Sequence, residues 1–515
     1  MFFSLGTATR IGLIFCSLSG FGCTANAADD PTDSDGVDTE VNETDTSVDD
    51  SDTDVVDMTV PPEVLSAPAT VETQGIHVAT NGSDGGDGSE QNPYATVQHA
   101  LDNADSGDVI LLHQGTYNEQ VRIRDNHITL QSAPGESAHI TCEVSTDADD
   151  PPLCVHIDAE TTGVTLRGLE ISGGFYSVFL GSQWDWDDTP QDNLAANHVL
   201  IEDCVLHGSG RDVVKIPAGC DDITIQRTEI YDSGIGYEEG TSLDDMNAEG
   251  VDAVNSDRLR IADSYIHDTA TTCAYIKGGS IDSIIERTVA ERCGALGLAL
   301  GFDTSPEFFD TEVNPGYYEN IGGVIRNCIV SDTGYAGIAL YASRDAYVLH
   351  NTVRGAASLG QAAIYFGVAT QDYDPEAGRP PNVRPTVVGN VVDQTGIDEP
   401  VCISIRYDED DQLGVLSGLS GPATIHHNLY YAGGGSCAFT DARPDSLVQD
   451  GDLAAWQANG VDADSSFEDP LLAEDGHLND GSLAMNATLV TPGVSYDIDR
   501  ESRSDGLFDR GADER

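Results

Sequence analysis

Basic residues are rare in this sequence. Lysine and arginine together number 23, against 89 aspartates and glutamates, which gives a formal net charge of −66 at pH 7. Such a chain repels phosphate backbones and anionic lipid, so nucleic acid and anionic membrane surfaces are excluded as partners. Strong acidity is common in proteins adapted to high salt, where ions screen the repulsion between carboxylates. We therefore interpret the charge as a sign of a halophilic habitat, and it also supplies oxygen ligands for calcium.

Aromatic residues are scarce too, at 7% of the chain, whereas glycine is abundant, with 54 residues among 515. This balance favours a repetitive β architecture over a helical one, and the length allows a large core. The 11 cysteines include no CxxC pair and no cysteine–histidine cluster with zinc spacing. Beyond the N-terminus, no apolar run is long enough for a transmembrane helix.

The N-terminus has the features of an export signal. Arg10 precedes an apolar run from Ile11 to Ser19 that is too short to span a bilayer. Two processing sites compete, a lipobox-like stretch that ends at Cys23 and a small-x-small motif at residues 25–27. We favour the lipoprotein alternative, with Cys23 as the lipidation site, because an acidic segment without basic residues follows. Such a segment cannot bury enough apolar surface to fold, and it suits a solvated tether. The expected location is the cell surface, lipid-anchored in the outer membrane, or the extracellular medium.

Internal repetition indicates the architecture. Eight segments share a short alternating strand, a small polar residue, a second strand and a Gly-rich turn; they begin at Val199, Ile223, Leu259, Ser283, Gly323, Ala346, Pro385 and Ala423. Where no insertion intervenes, successive starts are about 23 or 24 residues apart, the length of one turn of a three-sided parallel solenoid. The repeat predicts an all-β fold, a single-stranded right-handed parallel β-helix. A β-propeller would need longer blades with antiparallel hairpins, and regular Asn-Gly or Asp-Gly turns are absent.

Aligning the repeats predicts a column of small side chains that form hydrogen bonds at one bend: Cys204, Thr228, Ser264, Thr288, Cys328, Asn351, Asn390 and Asn428. Such a ladder satisfies the backbone groups of a repeated corner. Nine cysteines follow the export signal, so at least one is unpaired. Proximity suggests the disulfides Cys142–Cys154, Cys204–Cys220 and Cys273–Cys293, although membership of the ladder argues against the second.

The two ends of the repeat region carry a resemblance to a known superfamily. From Ile76, IHVATNGSDGGDGSEQNPYATVQHALDN contains a strand, a Gly/Asp loop and a short amphipathic helix near Ala95 to Asn103. This closely resembles the opening of the pectate-lyase-like β-helix superfamily, in which the helix caps the first turn. The tail from Phe467 to Glu514 resembles the closing segment of surface β-helix proteins. The resemblance implies the fold but not the activity, because the fold hosts lyases, hydrolases, epimerases and adhesins.

These features divide the chain into four segments. The expected boundaries are a signal peptide at 1–22, an acidic disordered tether at 23–74, a parallel β-helix at 75–440, and a closing segment of the same domain at 441–515.

Lys215 and Lys277 are the only lysines of the chain. Alternation places both on the second strand of a repeat, and aligning these strands predicts one outward column: Lys215, Asn255, Lys277, Ala299, Ala339, Tyr365 and Ser404. The two lysines would then lie two turns apart, with about 10 Å between their backbones. We interpret them as catalytic residues with Asn255 and Tyr275 as substrate contacts. The alternative is that two lysines fall on an exposed face by chance.

Acidic residues surround the predicted column. Asp212 and Asp252 are expected at matching positions of consecutive turns. The insertion 233–250 adds Glu238, Glu239, Asp244, Asp245 and Glu249 beside them, and of these we take Asp244 and Asp245 as ligands together with Asp212 and Asp252. Carboxylates beside an oxygen-rich loop suit Ca²⁺, which takes about six to eight oxygen ligands. The sequence therefore predicts a calcium site at these four aspartates, with a solvated acidic loop as the alternative.

Two further insertions carry aromatic residues. Trp184 and Trp186 lie in one, and Tyr317 and Tyr318 lie in the other. Exposed aromatic rings beside acids and amides suit stacking on sugar rings, which makes these four residues candidate substrate contacts. The alternative is that the loops fold back and pack on the solenoid.

The stretch from Tyr275 to Gly301, YIKGGSIDSIIERTVAERCGALGLALG, resembles the catalytic-lysine region of the alginate lyase and chondroitinase B family. The resemblance implies that Lys277 is a catalytic base. Two features of the family are missing here: the arginine on the next equivalent strand, which reads Leu298-Ala299-Leu300, and the acidic metal ligands just before the lysine. The mechanism of the family therefore cannot be transferred intact.

Three functions remain open at this point. The first is a calcium-assisted lyase of a uronate polysaccharide, in which Lys277 is the base and Lys215 binds substrate. The second is a non-catalytic surface protein, glycan-binding or adhesin-like, which fits the tether and the missing motifs. The third is a glycoside hydrolase that uses Asp221–Asp222 or Asp244–Asp245, but its Gly-His-Gly signature is absent. All three have a polysaccharide as partner, and we expect a monomer.

Overall fold

The computed structural model describes residues 60–184, 194–446, 448–488, 490–503 and 506–515. Three long parallel sheets of 12, 12 and 11 strands make up its main body. We name them sheet 1, sheet 2 and sheet 3, in the order in which the chain passes through them. The three-sided parallel solenoid predicted from the repeat is confirmed. The export signal, Cys23 and Trp186 lie outside the described residues.

Sheet 1 consists of Ile76–Val78, Val109–Leu112, Thr129–Ser132, Thr165–Arg167, Leu200–Glu202, Thr224–Gln226, Arg260–Ala262, Ile284–Glu286, Val324–Arg326, Tyr347–Leu349, Thr386–Val388 and Thr424–His426. Sheet 2 consists of Gly115–Asn118, Ala138–Thr141, Leu169–Ser172, Val205–His207, Glu229–Tyr231, Tyr265–Thr269, Val289–Cys293, Ile329–Ser331, Thr352–Arg354, Val391–Asp393, Leu429–Tyr431 and Ser466–Phe467. Sheet 3 consists of Val121–Ile123, Leu153–Ile157, Tyr176–Leu180, Val214–Ile216, Val251–Val254, Ala274–Lys277, Leu298–Leu300, Ile338–Tyr341, Ile364–Gly367, Val401–Ile405 and Ala438–Asp441.

Smaller elements complete the solenoid. A five-stranded sheet consists of Ser280–Ile281, Asn320–Ile321, Ser343–Arg344, Asn382–Val383 and Leu419–Ser420, and a hairpin pairs Tyr407–Asp410 with Gly414–Ser417. The helices are Val97–Asp102 and Leu453–Gln457, and the 3₁₀ helices are Leu243–Asp245, Pro306–Phe308 and Gln371–Tyr373. The first helix is the predicted capping helix, and it packs on the first strands of sheets 1 and 3. None of the helices in the described residues has the length and apolarity that a membrane crossing requires.

Identical side chains stack in register inside the solenoid. In sheet 1, the middle residues of five consecutive strands are fully buried isoleucines: Ile201, Ile225, Ile261, Ile285 and Ile325. Burying such a side chain contributes about 1.5–3 kcal/mol. Short strands of only three residues are therefore stabilised by the turns above and below them.

The chain turns from sheet 1 to sheet 2 within two residues. The first of the two has a positive φ in successive turns, at Asp203, Arg227, Asp263, Arg287, Asn327, His350, Gly389 and His427. The second is the predicted ladder residue, and all eight ladder residues are buried. Side-chain oxygens of the ladder accept from backbone amides one turn away, as Asn390 Oδ1 does from Asn351 N at 2.9 Å. The predicted ladder is confirmed.

Two of the three suggested disulfides are present, Cys142–Cys154 and Cys273–Cys293. The pair Cys204–Cys220 is wrong, because both thiols are free and donate to carbonyls at separate places, Glu202 O and Gly181 O. A third disulfide, Cys402–Cys437, joins adjacent strands of sheet 3 and was not predicted.

Residues 60–66, which we name the N-terminal strap, lie against the outer face of sheet 1. The Glu63 carboxylate is fully buried and pairs with Arg287 at 2.7 Å. Its second oxygen accepts from the backbone amide of Tyr496 at 2.8 Å, and Ser66 donates to Asp263. The last part of the segment expected to be a tether therefore contacts both the middle of the solenoid and its closing segment.

Candidate functional site

The two lysines lie on the outer face of sheet 3, but in different columns. Lys215 is paired in register with Asp252, and Asp252 with Tyr275; the column continues with Ala299, Ala339, Tyr365 and Ser404. Lys277 instead pairs with Val254, two residues further along the strand direction. The predicted shared column is therefore wrong for Lys277 and Asn255. The cause is that the strand after the 233–250 insertion starts at Val251, so Ala274, not Ile276, lies in register with it.

Asn255 lies past the end of its strand rather than between the lysines. Its backbone has a φ of 43°, and its Nδ2 donates to Phe308 O at 2.7 Å. The side chain thus attaches the insertion that contains Phe308 to the edge of sheet 3.

Three carboxylates converge beside Lys215. Asp212, Glu249 and Asp252 are at most 6% exposed, and one oxygen from each lies within 4.8 Å of the others. The register places Glu249, not Asp252, at the position equivalent to Asp212, which corrects the predicted match. Asp244 and Asp245 lie on a 3₁₀ helix of the insertion and do not join this group. We name Asp212, Glu249 and Asp252 the carboxylate cluster.

Each member of the carboxylate cluster has one oxygen with a hydrogen bond and one without. Asp212 Oδ1 accepts from Glu249 N at 3.2 Å, Glu249 Oε1 accepts from Thr271 Oγ1 at 2.9 Å, and Asp252 Oδ2 accepts from Lys215 Nζ. Among the described residues, no protein donor binds the buried oxygens Asp212 Oδ2, Glu249 Oε2 and Asp252 Oδ1, and the carboxyl groups of Asp212 and Glu249 are close enough to share a proton. Burying a carboxylate oxygen without a hydrogen-bond partner reduces the stability of the folded state, so a proton or a bound cation would stabilise this group.

The pKa values of the cluster report its excess negative charge. Burial, followed by the charge of Asp212, raises the pKa of Glu249 well above its ordinary value. Burial and the charge of Asp252 raise the pKa of Asp212. Burial would also raise the pKa of Asp252, but the ammonium groups of Lys215 and Lys277 lower it. In the part of the chain that the structure describes, Lys215 is the one ammonium that pairs directly with the cluster, so a proton on Glu249 or a bound cation would offset the remaining negative charge.

The donor set of the cluster fits calcium. Ca²⁺ prefers carboxylate oxygens at about 2.3–2.6 Å and accepts loose geometry, with water or ligand oxygens filling the remaining positions. The three oxygens without hydrogen bonds are the ones that would hold it.

Lys215 and Lys277 have different surroundings. Lys215 pairs with Asp252, lies 3.9 Å from Asp212 Oδ2, and has an 18% exposed side chain. Burial would lower its pKa, but the two carboxylates raise it above the ordinary value, so Lys215 stays protonated. Lys277 has no ion pair within the described part of the chain. Its Nζ donates to Asp303 O at 3.2 Å and lies 4.4 Å from the centre of the Tyr275 ring.

The aromatic candidates that the structure describes are held by contacts with other parts of the protein. Trp184 Nε1 donates to Glu307 O at 2.8 Å, so it contacts the insertion before Tyr317. Tyr317 packs edge-on against Phe309 at 5.3 Å, and Tyr318 lies under the Arg344 guanidinium at 5.0 Å. Tyr275 is 3% exposed and stacks on Phe302 at 5.6 Å, beneath the ammonium of Lys277.

One buried acid near Lys277 gave no signal in the sequence. Glu319 is fully buried, and its Oε2 accepts from Gly278 N at 2.8 Å and from Thr304 Oγ1 at 2.7 Å. Burial raises its pKa to about 8. Glu319 therefore fixes the backbone just after Lys277 and carries a proton at neutral pH. Glu319 lies in an insertion outside the aligned repeats, so the sequence pattern does not show that it is buried.

Comparisons with known proteins agree with this geometry at the level of the fold. The family described as right handed beta helix region matches residues 153–371, and a family described as a protein of unknown function, DUF1565, matches residues 80–124. The uncharacterized protein YwoF of Bacillus subtilis (strain 168) is 27% identical over 106 residues, which make up 19% of this chain and 23% of that relative. The matched region thus spans less than a quarter of the curated relative.

Solved structures resemble the whole solenoid. The complex of XylC with xylose has a TM-score of 0.51 at 10% identity and covers 85% of this chain and 98% of that chain. Pectate lyase Pel9A has a TM-score of 0.48 at 14% identity, with 86% and 97% covered. PfbA, a surface adhesin of Streptococcus pneumoniae, has a TM-score of 0.43 at 12% identity, with 69% and 91% covered. At these identities the similarity concerns the fold alone.

Proposed function

We propose that this chain, which folds as a right-handed parallel β-helix, acts on an acidic polysaccharide as a calcium-assisted lyase of a uronate polymer. The proposal rests on two features of the outer face of sheet 3. One is the carboxylate cluster, whose three buried oxygens accept no hydrogen bond within the described residues, and the other is Lys277, which has no ion pair there. Lys277 lies on the strand next to the one that carries Asp252, two residues further along the strand direction.

β-Elimination requires a base for the C5 proton next to the uronate carboxyl group and a positive charge for that carboxylate. The C4–O4 glycosidic bond then breaks, a C4–C5 double bond forms, and the departing oxygen takes a proton from water. In its neutral amine form, Lys277 would accept this proton at Nζ, which the Asp303 carbonyl and the Tyr275 ring hold in place. A calcium ion held by Asp212, Glu249 and Asp252 would neutralise the substrate carboxylate and so acidify the adjacent proton.

Lys215 has a positioning role in this proposal rather than the substrate-binding role expected from the sequence. Its ammonium fixes Asp252 and stays protonated, so it is unsuited to accept a proton. Removing it would leave the carboxylate cluster with a further uncompensated charge.

The second candidate is a non-catalytic, glycan-binding surface protein. It is favoured by the column beyond Tyr275, which continues with Ala299, Ala339 and Tyr365, all at most 4% exposed, and so adds no further carboxylate or ammonium group to this face. In both cases the export signal and the Cys23 anchor remain part of the proposal, with the cell surface or the medium as the location.

The deciding experiment incubates the purified chain, with CaCl₂ and at high salt, with pectate, alginate and glycosaminoglycans. The absorbance of unsaturated uronates reports elimination. We expect absorbance with one polymer class, its loss in Lys277→Met, and its retention in the matched control Asp244→Asn. The melting temperature of Lys277→Met should stay near that of the wild type, because no ion pair is lost. Absence of elimination in the wild type, together with retained polymer binding, would favour the binding protein.

A further inference from the structure

A second group of possible metal ligands lies on a different face of the solenoid. His139, Glu170 and His207 occupy three consecutive strands of sheet 2 and point outward. Their side chains are 25%, 38% and 20% exposed, so solvent reaches them without any movement of the backbone. The carboxylate cluster, by contrast, lies on sheet 3.

The donor atoms of this group have the spacing of a zinc site. Glu170 Oε1 lies 3.7 Å from His139 Nδ1 and 3.3 Å from His207 Nε2, and the three donor atoms are within 4.8 Å of one another. In a tetrahedral site with bonds of about 2.0–2.2 Å, neighbouring donors are about 3.3–3.6 Å apart. Small rotations of the side chains would therefore complete three corners of a tetrahedron.

Neighbouring groups fix both rings. His139 Nε2 lies 2.7 Å from Ser172 Oγ, and the tautomer that donates this hydrogen bond leaves the Nδ1 lone pair directed at Glu170. The ring of His207 stacks on Tyr231 with 4.6 Å between centroids and an angle of 2° between planes. Ligands held in this way lose little side-chain entropy on binding a metal.

We propose that His139, Glu170 and His207 bind Zn²⁺ or a similar first-row divalent cation, with water at the fourth position. Two imidazoles and a carboxylate suit such metals, whereas Ca²⁺ and Mg²⁺ prefer oxygen ligands. The solenoid thus carries an all-oxygen site on sheet 3 and a nitrogen-containing site on sheet 2, and the donor types would direct different metals to them.

The test measures zinc binding to the purified, untagged chain by equilibrium dialysis at high NaCl and with excess CaCl₂, which occupies carboxylate-only sites. We expect wild type to bind one more equivalent of Zn²⁺ than His139→Ala or His207→Ala. His198→Ala is the matched control, because His198 is 64% exposed and, among the residues that the structure describes, pairs with a single carboxylate, that of Asp222. Co²⁺ in place of Zn²⁺ should give the intense visible absorption of a four-coordinate site in wild type and the control.

Equal zinc binding in the wild type and in both histidine variants would overturn the proposal. The His207–Glu170 contact would then be an ordinary hydrogen bond at 3.3 Å. If a histidine variant fails to fold, Glu170→Gln, which preserves the size of the side chain, decides the question by the same measurement. Weak binding that is unchanged in Glu170→Gln would equally contradict a site.

Discussion

Two groups of buried carboxylates lie on different faces of this solenoid, and they are balanced differently. On sheet 1, Glu63, Asp263 and Glu286 face Arg260, Arg287 and Arg326. Within the described chain, none of the buried side-chain atoms of this group lacks a hydrogen-bond partner. On sheet 3, the carboxylate cluster has three acids, one tightly paired lysine, and three oxygens without hydrogen bonds.

The difference separates a structural network from a candidate site. Burial would raise the pKa of Glu286, but Arg326, Arg287 and Arg260 lower it, so the network is charged and complete. In the carboxylate cluster the pKa of Glu249 is raised, because burial and Asp212 outweigh the nearby ammonium of Lys277. Carboxylates that the protein leaves without enough hydrogen-bond donors or positive charges are the ones that can bind a ligand.

The largest expected effect comes from breaking the complete network. In Arg287→Ala, Glu63, Asp263 and Glu286 lose a fully buried partner, and we expect the free energy of unfolding to fall by about 3–5 kcal/mol. Arg384→Ala is the control, because Arg384 is 57% exposed in its pair with Asp345, and its loss should cost about 0–1 kcal/mol. Urea denaturation measures both, and equal losses would contradict the assigned role of the network.

The next effect concerns Glu319, which is buried with hydrogen bonds but without an ion pair. Burial raises its pKa from 4.5 to about 8, so the folded state keeps a proton that the unfolded chain releases above pH 4.5. This contribution to stability is present below pH 4.5 and is lost as the pH rises to about 8, so the free energy of unfolding should fall by a few kcal/mol over that range.

Glu319→Gln should have a flatter stability profile between these pH values, measured by urea denaturation without divalent cations. Glu376→Gln, an exposed acid, serves as control and should keep the slope of the wild type. Identical slopes in all three proteins would show that Glu319 ionises normally.

The smallest expected effect is the stabilisation of the protein by calcium at the carboxylate cluster. Calcium at 100 times its dissociation constant should raise the free energy of unfolding of the wild type by about 2.7 kcal/mol. Glu249→Gln should reduce this increase strongly, whereas Asp244→Asn, outside the cluster, should retain it. Thermal unfolding with and without CaCl₂ measures the shift. An increase that persists in Glu249→Gln would place the calcium elsewhere.

The repeat and the ladder could be predicted because they depend on local alternation. Every turn repeats the same pattern of inward residues, and Asn351, Asn390 and Asn428 mark the same corner. The column of Lys215 could not be predicted in the same way. A shift of two residues leaves every side chain on its own face, so periodicity cannot detect the displacement of Lys277 by two positions.

Features formed by insertions and distant turns gave weaker signals. Glu249 enters the carboxylate cluster only because the insertion ends just before Val251. Cys402 and Cys437 are 35 residues apart in sequence, and only the register of their strands brings them together. In each case the length of the intervening loop determines which residues come into contact, and composition and periodicity do not predict that length.

The N-terminal strap determines how a pulling force would enter the molecule. Tension applied through the chain before Val60 reaches the solenoid at Glu63, halfway along sheet 1, instead of at its capped end. The load is shared by the contacts of Glu63 with Arg287 and Arg326 and by its hydrogen bond from the Tyr496 amide in the closing segment. A force on the strap therefore enters the molecule at sheet 1, whereas Lys277 lies on sheet 3.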